Sequence, residues 1–164
     1  MESEKGGVSA RVRHYLRPVK RHPALVRLSR DHYFGLLLAQ QLKHGAAPYK
    51  GYPTDTEGKI KFLFSDYEEK LKPHFAAEEN ILFPAVKNLS PGISSLVEEL
   101  ISEHRKIFSL IEEVNSTTDK KEQLNKIGVL LEQHIRKEER KLFELIQQTM
   151  GEKELVELEK KLGV

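Results

Sequence analysis

The segments HFAAEENILF (74–83) and HIRKEERKLF (134–143) share the pattern H-x-x-x-E-E-x-x-x-F, with Leu82 and Leu142 also matched. Each sets a histidine, and one helical turn later a glutamate, among apolar residues of the same stripe. Residues four apart on a helix project from one face about 6 Å apart along the axis, so His74 with Glu78, and His134 with Glu138, can each reach a common point. A chain that writes this twice must fold into helices whose buried faces carry polar groups.

The remaining sequence supplies such helices. From about Pro23 to His44, Leu25, Leu28, His32, Leu36 and Ala39 recur at threes and fours, and Pro23 suits a first turn, where its missing N–H costs nothing. The Gly- and Pro-rich stretch GAAPYKGYPTDTEG (45–58) reads as a loop, with Thr54-x-x-Glu57 as a capping box. A second helix, about 57–88, places Ile60, Leu63, Tyr67, Leu71, His74, Glu78, Leu82 and Ala85 inward, with Pro73 expected to kink it. After the turn NLSPG, a third helix, about 93–115, turns Val97, Leu100, His104, Ile107, Ile111 and Val114 inward. The fourth, about 119–149 and capped through Asp119-x-x-Glu122, lines up Leu124, Ile127, Leu131, His134, Glu138, Leu142 and Leu145. Gly151 then breaks the chain before the short amphipathic EKELVELEKKL.

Sustained strand alternation is absent. Four long helices joined by short loops predict an all-α fold, an antiparallel up-down-up-down four-helix bundle over residues 22–150. A basic N-terminal leader (1–21) precedes it and a C-terminal amphipathic helix (151–164) follows. The leader carries Arg11, Arg13, Arg17, Lys20 and Arg21 and is expected to be solvated.

Composition narrows the function classes. A formal net charge of +2 over 164 residues demands neither nucleic acid nor a membrane as partner. Cysteine is absent, which excludes disulfides, thiolate catalysis, iron–sulfur clusters and cysteine-based zinc sites. MESEKGGVSA lacks the apolar stretch of a signal peptide, and no run reaches the ~20 apolar residues that span a bilayer. The expected location is the cytoplasm.

His32, His74, His104 and His134 each fall near the middle of a different predicted helix, on its apolar stripe, and Glu78 and Glu138 lie on the same stripes. In a bundle these six converge. Two uncompensated carboxylates in a core would cost several kcal/mol each, against a domain stability of about 5–15 kcal/mol. A divalent metal cluster resolves the conflict. Four imidazoles and two carboxylates suit iron, manganese or zinc rather than the all-oxygen preference of calcium or magnesium. The donor count points to two ions bridged by Glu78 and Glu138, each capped by two histidines. The ferritin-like Glu-x-x-His pattern does not match, since order and spacing are reversed here.

These motifs, RDHYFGL around His32, HFAAEENILFP, SEHRKIFSL around His104, and HIRKEERKLF, resemble the hemerythrin-like (HHE cation-binding) family over about 22–149. The resemblance implies a non-haem di-iron centre bridged by the two carboxylates and an oxo or hydroxo group, binding O2 or, in relatives, NO, peroxide or iron itself. Oxygen-carrying members place a second histidine one turn after the third-helix ligand. Phe108 stands there in this chain, and the fourth-helix carboxylate comes at the fourth rather than the fifth residue. That departure weakens a reversible O2 carrier in favour of a site used for sensing or redox chemistry, and the leading expectation is a di-iron protein that binds O2, NO or peroxide for sensing, storage or detoxification. A peroxidase- or oxidase-like enzyme is one alternative. A metal-stapled interaction module, using the leader or the tail helix, is the other, and homodimer formation stays open.

The remaining candidates receive structural expectations. Tyr33 is expected to pack, as is Tyr67, and Phe34, Phe75, Phe83 and Phe143 to dry the site. Glu79 and Glu139 are expected to face solvent or to orient imidazoles. His14 and His22 carry no role, and His44 is expected to complement the end of the first helix.

Overall fold

The computed structural model describes residues 20–163, which form five helices and no strand. The arginines of the leader at 11, 13 and 17, and His14, lie outside the described residues. Helix α1 spans Pro23–Leu42. Helix α2 runs without a break through Thr56–Asp66, a π turn at Tyr67–Leu71, Lys72–Ala77, a second π turn at Glu78–Leu82, and Phe83–Val86. Helix α3 is Pro91–Glu112. Helix α4 comprises Lys120–Lys137, a π turn at Glu138–Leu142, and Phe143–Thr149, and α5 is Glu152–Leu162.

Side chains that satisfy the first free N–H groups set the helix starts. His22, with no role expected of it, caps α1, its Nδ1 accepting from Ala24 N–H at 3.1 Å. Asp55, not Thr54, caps α2 by accepting from Gly58 N–H at 2.8 Å, which moves the cap one residue later. Ser90 accepts from Ile93 N–H with Pro91 as first helical residue, so α3 begins earlier than expected. Asp119 caps α4 as expected, accepting from Glu122 N–H at 3.0 Å. Helix α1 stops at Leu42, and His44 lies past it, with Nε2 at 2.8 Å from Glu122 Oε2.

The π turns correct the expected stripes. In each, an N–H reaches back five residues: Lys72 to the Tyr67 carbonyl, Phe83 to Glu78, Phe143 to Glu138. One residue is inserted into the turn, and the buried face advances by one position beyond it. Val86 and Ile146 are therefore fully buried, whereas Ala85 is partly buried and Leu145 is exposed, against expectation. The turn at Tyr67–Leu71 precedes Pro73, and that at Glu78–Leu82 precedes Pro84. The third has no proline after it, so the feature common to the two repeated segments is the buried glutamate at the first position.

Two apolar clusters flank the middle of the helices. One joins Leu25, Leu28, Leu82, Phe83, Leu100, Leu142 and the tail residues Leu155, Leu158 and Leu162. The other joins Leu38, Leu63, Leu71, Phe75, Ile107, Leu131 and Ile135. The apolar face of α5 is thus covered by its own chain. Helix α1 packs most extensively on α4. A Cβ at Gly128 would sit 2.6 Å from the Ala39 carbonyl oxygen, so only glycine permits that approach. No helix among the described residues is long and apolar enough to cross a membrane.

Candidate metal centre

Between the two clusters lies a polar layer. His32 (α1), His74 and Glu78 (α2), His104 (α3) and His134 and Glu138 (α4) are all buried, with Glu78, His104, His134 and Glu138 at 0% exposure. The fold brings together all six residues that the sequence pattern singles out. They divide into two overlapping sets, His32, His74, Glu78, Glu138 and Glu78, His104, His134, Glu138, with the donor atoms of each within 4.8 Å of one another. Both glutamates belong to both sets.

The imidazoles are held from behind. His32 Nδ1 lies 2.7 Å from Glu139 Oε1, His74 Nδ1 2.9 Å from Asp31 Oδ2, His104 Nδ1 2.7 Å from Glu79 Oε1, and His134 Nδ1 2.8 Å from Glu103 Oε2. A carboxylate only accepts, so each Nδ1 carries the proton and each Nε2 is directed to the centre. Every carboxylate stands next in sequence to an inward residue of its own helix and serves a histidine of another. Glu79 and Glu139 thus take the orienting role. Asp31 and Glu103 do the same without having stood out in the sequence; their signal was adjacency to His32 and His104 together with negative charge. Three of the four are anchored in turn: Glu79 accepts from Arg105 at 2.6 Å, Glu103 from Lys137, and Glu139 from Arg21 at 2.9 Å. Arg21 is therefore not part of a solvated leader, for its side chain is 6% exposed.

Distances and directions disagree inside the layer. His32 Nε2 is 2.9 Å from Glu138 Oε2, and His74 Nε2 2.8 Å from Glu78 Oε1, close enough for ion pairs. Yet both Nε2 atoms and all four oxygens of Glu78 and Glu138 are buried without a hydrogen bond. A hydrogen bond needs alignment as well as proximity, and these close pairs do not form one. His104 Nε2 and His134 Nε2 stand 3.1 Å apart, two lone pairs facing when both Nδ1 protons point to carboxylates. Unpaired buried polar atoms cost about 1–3 kcal/mol each, more when charged, so a cation fits this arrangement.

Without a cation, protons take its place. Burial pushes the His32 ring down, but Glu138, Glu139 and Glu78 outweigh it and hold its pKa well above the ordinary value. Burial likewise opposes protonation of His74, which Glu78 and Asp31 nevertheless raise to about 9. His104 is raised despite burial, chiefly by Glu78. Burial alone would raise Glu78; His74, His104 and His32 hold it well below the carboxylate range.

Phe75, Phe83 and Phe143 pack on the layer as expected, and Phe34 and Tyr33 do not. Phe75 stacks on His104 at 3.8 Å between centroids, and Phe143 on His32 at 5.3 Å. Phe83 also stacks near His104, at 5.8 Å. Phe34 is instead 48% exposed, and Tyr33, also expected to pack, is 54% exposed. Tyr67 is buried edge-on against Phe108, its centroid 5.3 Å away, in keeping with a packing role. A cavity of about 190 Å³ opens beside His32 and His74, bounded by Asp31, Gly35, Leu71 and Phe75, with Arg27, Asp66 and Lys70 also lining it.

The hemerythrin HHE cation binding domain matches residues 23–146. This chain belongs to the hemerythrin HHE family. No curated protein and no solved structure matches it. The HHE match takes in all six residues of the polar layer and ends before α5. Arg21, which anchors Glu139, lies ahead of it.

Proposed function

We propose that this HHE protein holds two iron ions, each on two histidines, bridged by Glu78 and Glu138, and binds O2, NO or peroxide there. His32 and His74 take one ion and His104 and His134 the other. Manganese or zinc satisfies the same donors. The observation that carries the reading is that the buried Nε2 atoms of His32 and His74 and all four oxygens of Glu78 and Glu138 make no hydrogen bonds. Two divalent charges answer both glutamates, and the four outer carboxylates stabilise positive charge at the centre through the imidazoles.

An antiparallel up-down-up-down bundle accounts for the level at which the layer forms. One cluster draws on the start of α1, the end of α2, the start of α3 and the end of α4. The other takes residues from the opposite halves. Such alternation puts mid-helix residues at one height.

When bound, iron supplies an open coordination position and redox electrons for a small diatomic or peroxide. The chain supplies the rest. The four carboxylates fix the rings, Phe75, Phe83 and Phe143 exclude water, and the cavity gives a small ligand access to the His32–His74 side. Asp31, half-exposed at that cavity and bonded to His74, keeps the ring turned to the ion. Phe108 backs the layer, where it packs on Phe75 at 5.3 Å.

The test is optical. Ferrous protein prepared under argon and titrated with O2, NO and peroxide separately should develop ligand-specific near-ultraviolet and visible bands. Loaded protein whose spectrum is indifferent to all three would contradict small-ligand binding and favour a metal that only staples the helices.

A further inference from the structure

Resting on the dinuclear reading, we propose that Arg21 is a positioning residue for one of the two metal positions, through a strap formed by residues 20–22. Its guanidinium reaches His32 by two routes. In the first, Nε and NH2 donate to Glu139 Oε2 at 3.1 and 2.9 Å, and NH2 also donates to the Glu139 carbonyl. Glu139 Oε1 then holds His32 Nδ1 at 2.7 Å, assisted by Ser29 Oγ at 2.7 Å. In the second, the guanidinium lies over the Phe143 ring, 5.5 Å from its centroid, and Phe143 stacks on the His32 ring within 19° of parallel. One buried cation thus fixes both the edge and the face of His32.

The strap itself is tied down. Gln147 donates to the Lys20 carbonyl at 3.2 Å and accepts from His22 N–H at 3.2 Å, and Arg21 NH1 donates to Glu144 Oε1 at 2.7 Å. A guanidinium suits this place because its planar fork can satisfy a carboxylate, a carbonyl and a second carboxylate at once. The corresponding cations for Glu79 and Glu103, Arg105 and Lys137, come from α3 and α4 inside the matched span, whereas Arg21 precedes it. Holding of the His32–His74 ion therefore depends on a residue outside the matched domain, and holding of the other ion does not.

The experiment measures zinc release from loaded full-length protein into an excess of chromogenic chelator. Arg21→Ala is read in two backgrounds: His134→Ala, which leaves the His32–His74 set, and His74→Ala, which leaves the other. Loss of a carboxylate bonded to a ligating imidazole costs about 10–100-fold in affinity, and Arg21 positions such a carboxylate, so release should quicken toward the lower end of that range, about tenfold, in the first background and stay unchanged in the second. Arg21→Lys should recover part of the loss. Glu144→Gln, which keeps the Glu139 contact and loosens the fork, should quicken the same ion less. Equal rates with and without Arg21, or equal acceleration in both backgrounds, overturns the proposal. Should Arg21→Ala fail to fold, an unchanged release rate in Glu144→Gln overturns it instead. A native chain that binds neither zinc nor iron refutes the dinuclear reading itself, which is a separate result.

Discussion

His104 Nε2 and His134 Nε2 face each other 3.1 Å apart while Glu79 and Glu103 hold the opposite nitrogen of each ring. Two imidazoles arranged this way leave lone pairs facing each other, a geometry that a cation beside them relieves. The raised pKa of His104 ties the same layer to pH.

Stability of the metal-free protein should therefore fall in alkali. His74 is raised from 6.5 to about 9, so its contribution is complete below about pH 6.5 and is lost as pH rises through about 9. His32 and His104, raised likewise, act in the same sense. Glu78, held low, contributes above the carboxylate range and loses that contribution in acid. Loaded protein should show the reverse trend near neutrality, because protons compete with the ion for Nε2. Thermal melts of both forms at about pH 6 and pH 9.5 check this; identical profiles would count against a shared site.

Glutamate and histidine variants should differ in stoichiometry. Glu78→Gln replaces a carboxylate that belongs to both sets and should leave fewer than one tightly held ion per chain. His134→Ala damages one set and should leave about one. Metal analysis after gel filtration distinguishes the two, and equal losses would contradict the division of donors into two sets that share both glutamates.

The outer carboxylates should matter without touching metal. Glu103→Gln keeps the shape but weakens the hold on His134 Nδ1, and a loss of affinity of about 10–100-fold is expected. Chelator competition measures it. An exposed acidic residue such as Glu98 changed to Gln should have no effect.

Close packing of α1 and α4 offers a test independent of metal. A methyl at Gly128 meets the Ala39 carbonyl at 2.6 Å, a backbone atom that cannot rotate away. Gly128→Ala should cost about 1–3 kcal/mol in chemical denaturation. At Gly35 the added methyl meets only Ile135 Cδ1, the end of a side chain, so Gly35→Ala should cost less.

The inner layer is legible in the sequence because burial imposes a period. His32, His74, Glu78, His104, His134 and Glu138 fall on helical stripes, and the stripe alone brings them to one face. Two things are not legible. Insertion of a residue at the π turns accompanies the burial of Glu78 and Glu138, which no local propensity records, and so the stripe points to Leu145 where the fold buries Ile146. Asp31 and Glu103 escape notice because each serves a histidine on another helix, a relation fixed by how helices stand against each other. Arg21 looks like one of a run of solvated cations; only the fold shows it clamped between Glu139 and Glu144.

The most direct measurement is metal content of the native chain purified from iron-supplemented cells, set beside the Glu78→Gln, Glu138→Gln double variant. If cations hold the polar layer together, the native chain carries about two ions and the double variant close to none, with both proteins still helical. A native chain that is folded and carries no metal, or a double variant that keeps two ions, would contradict it.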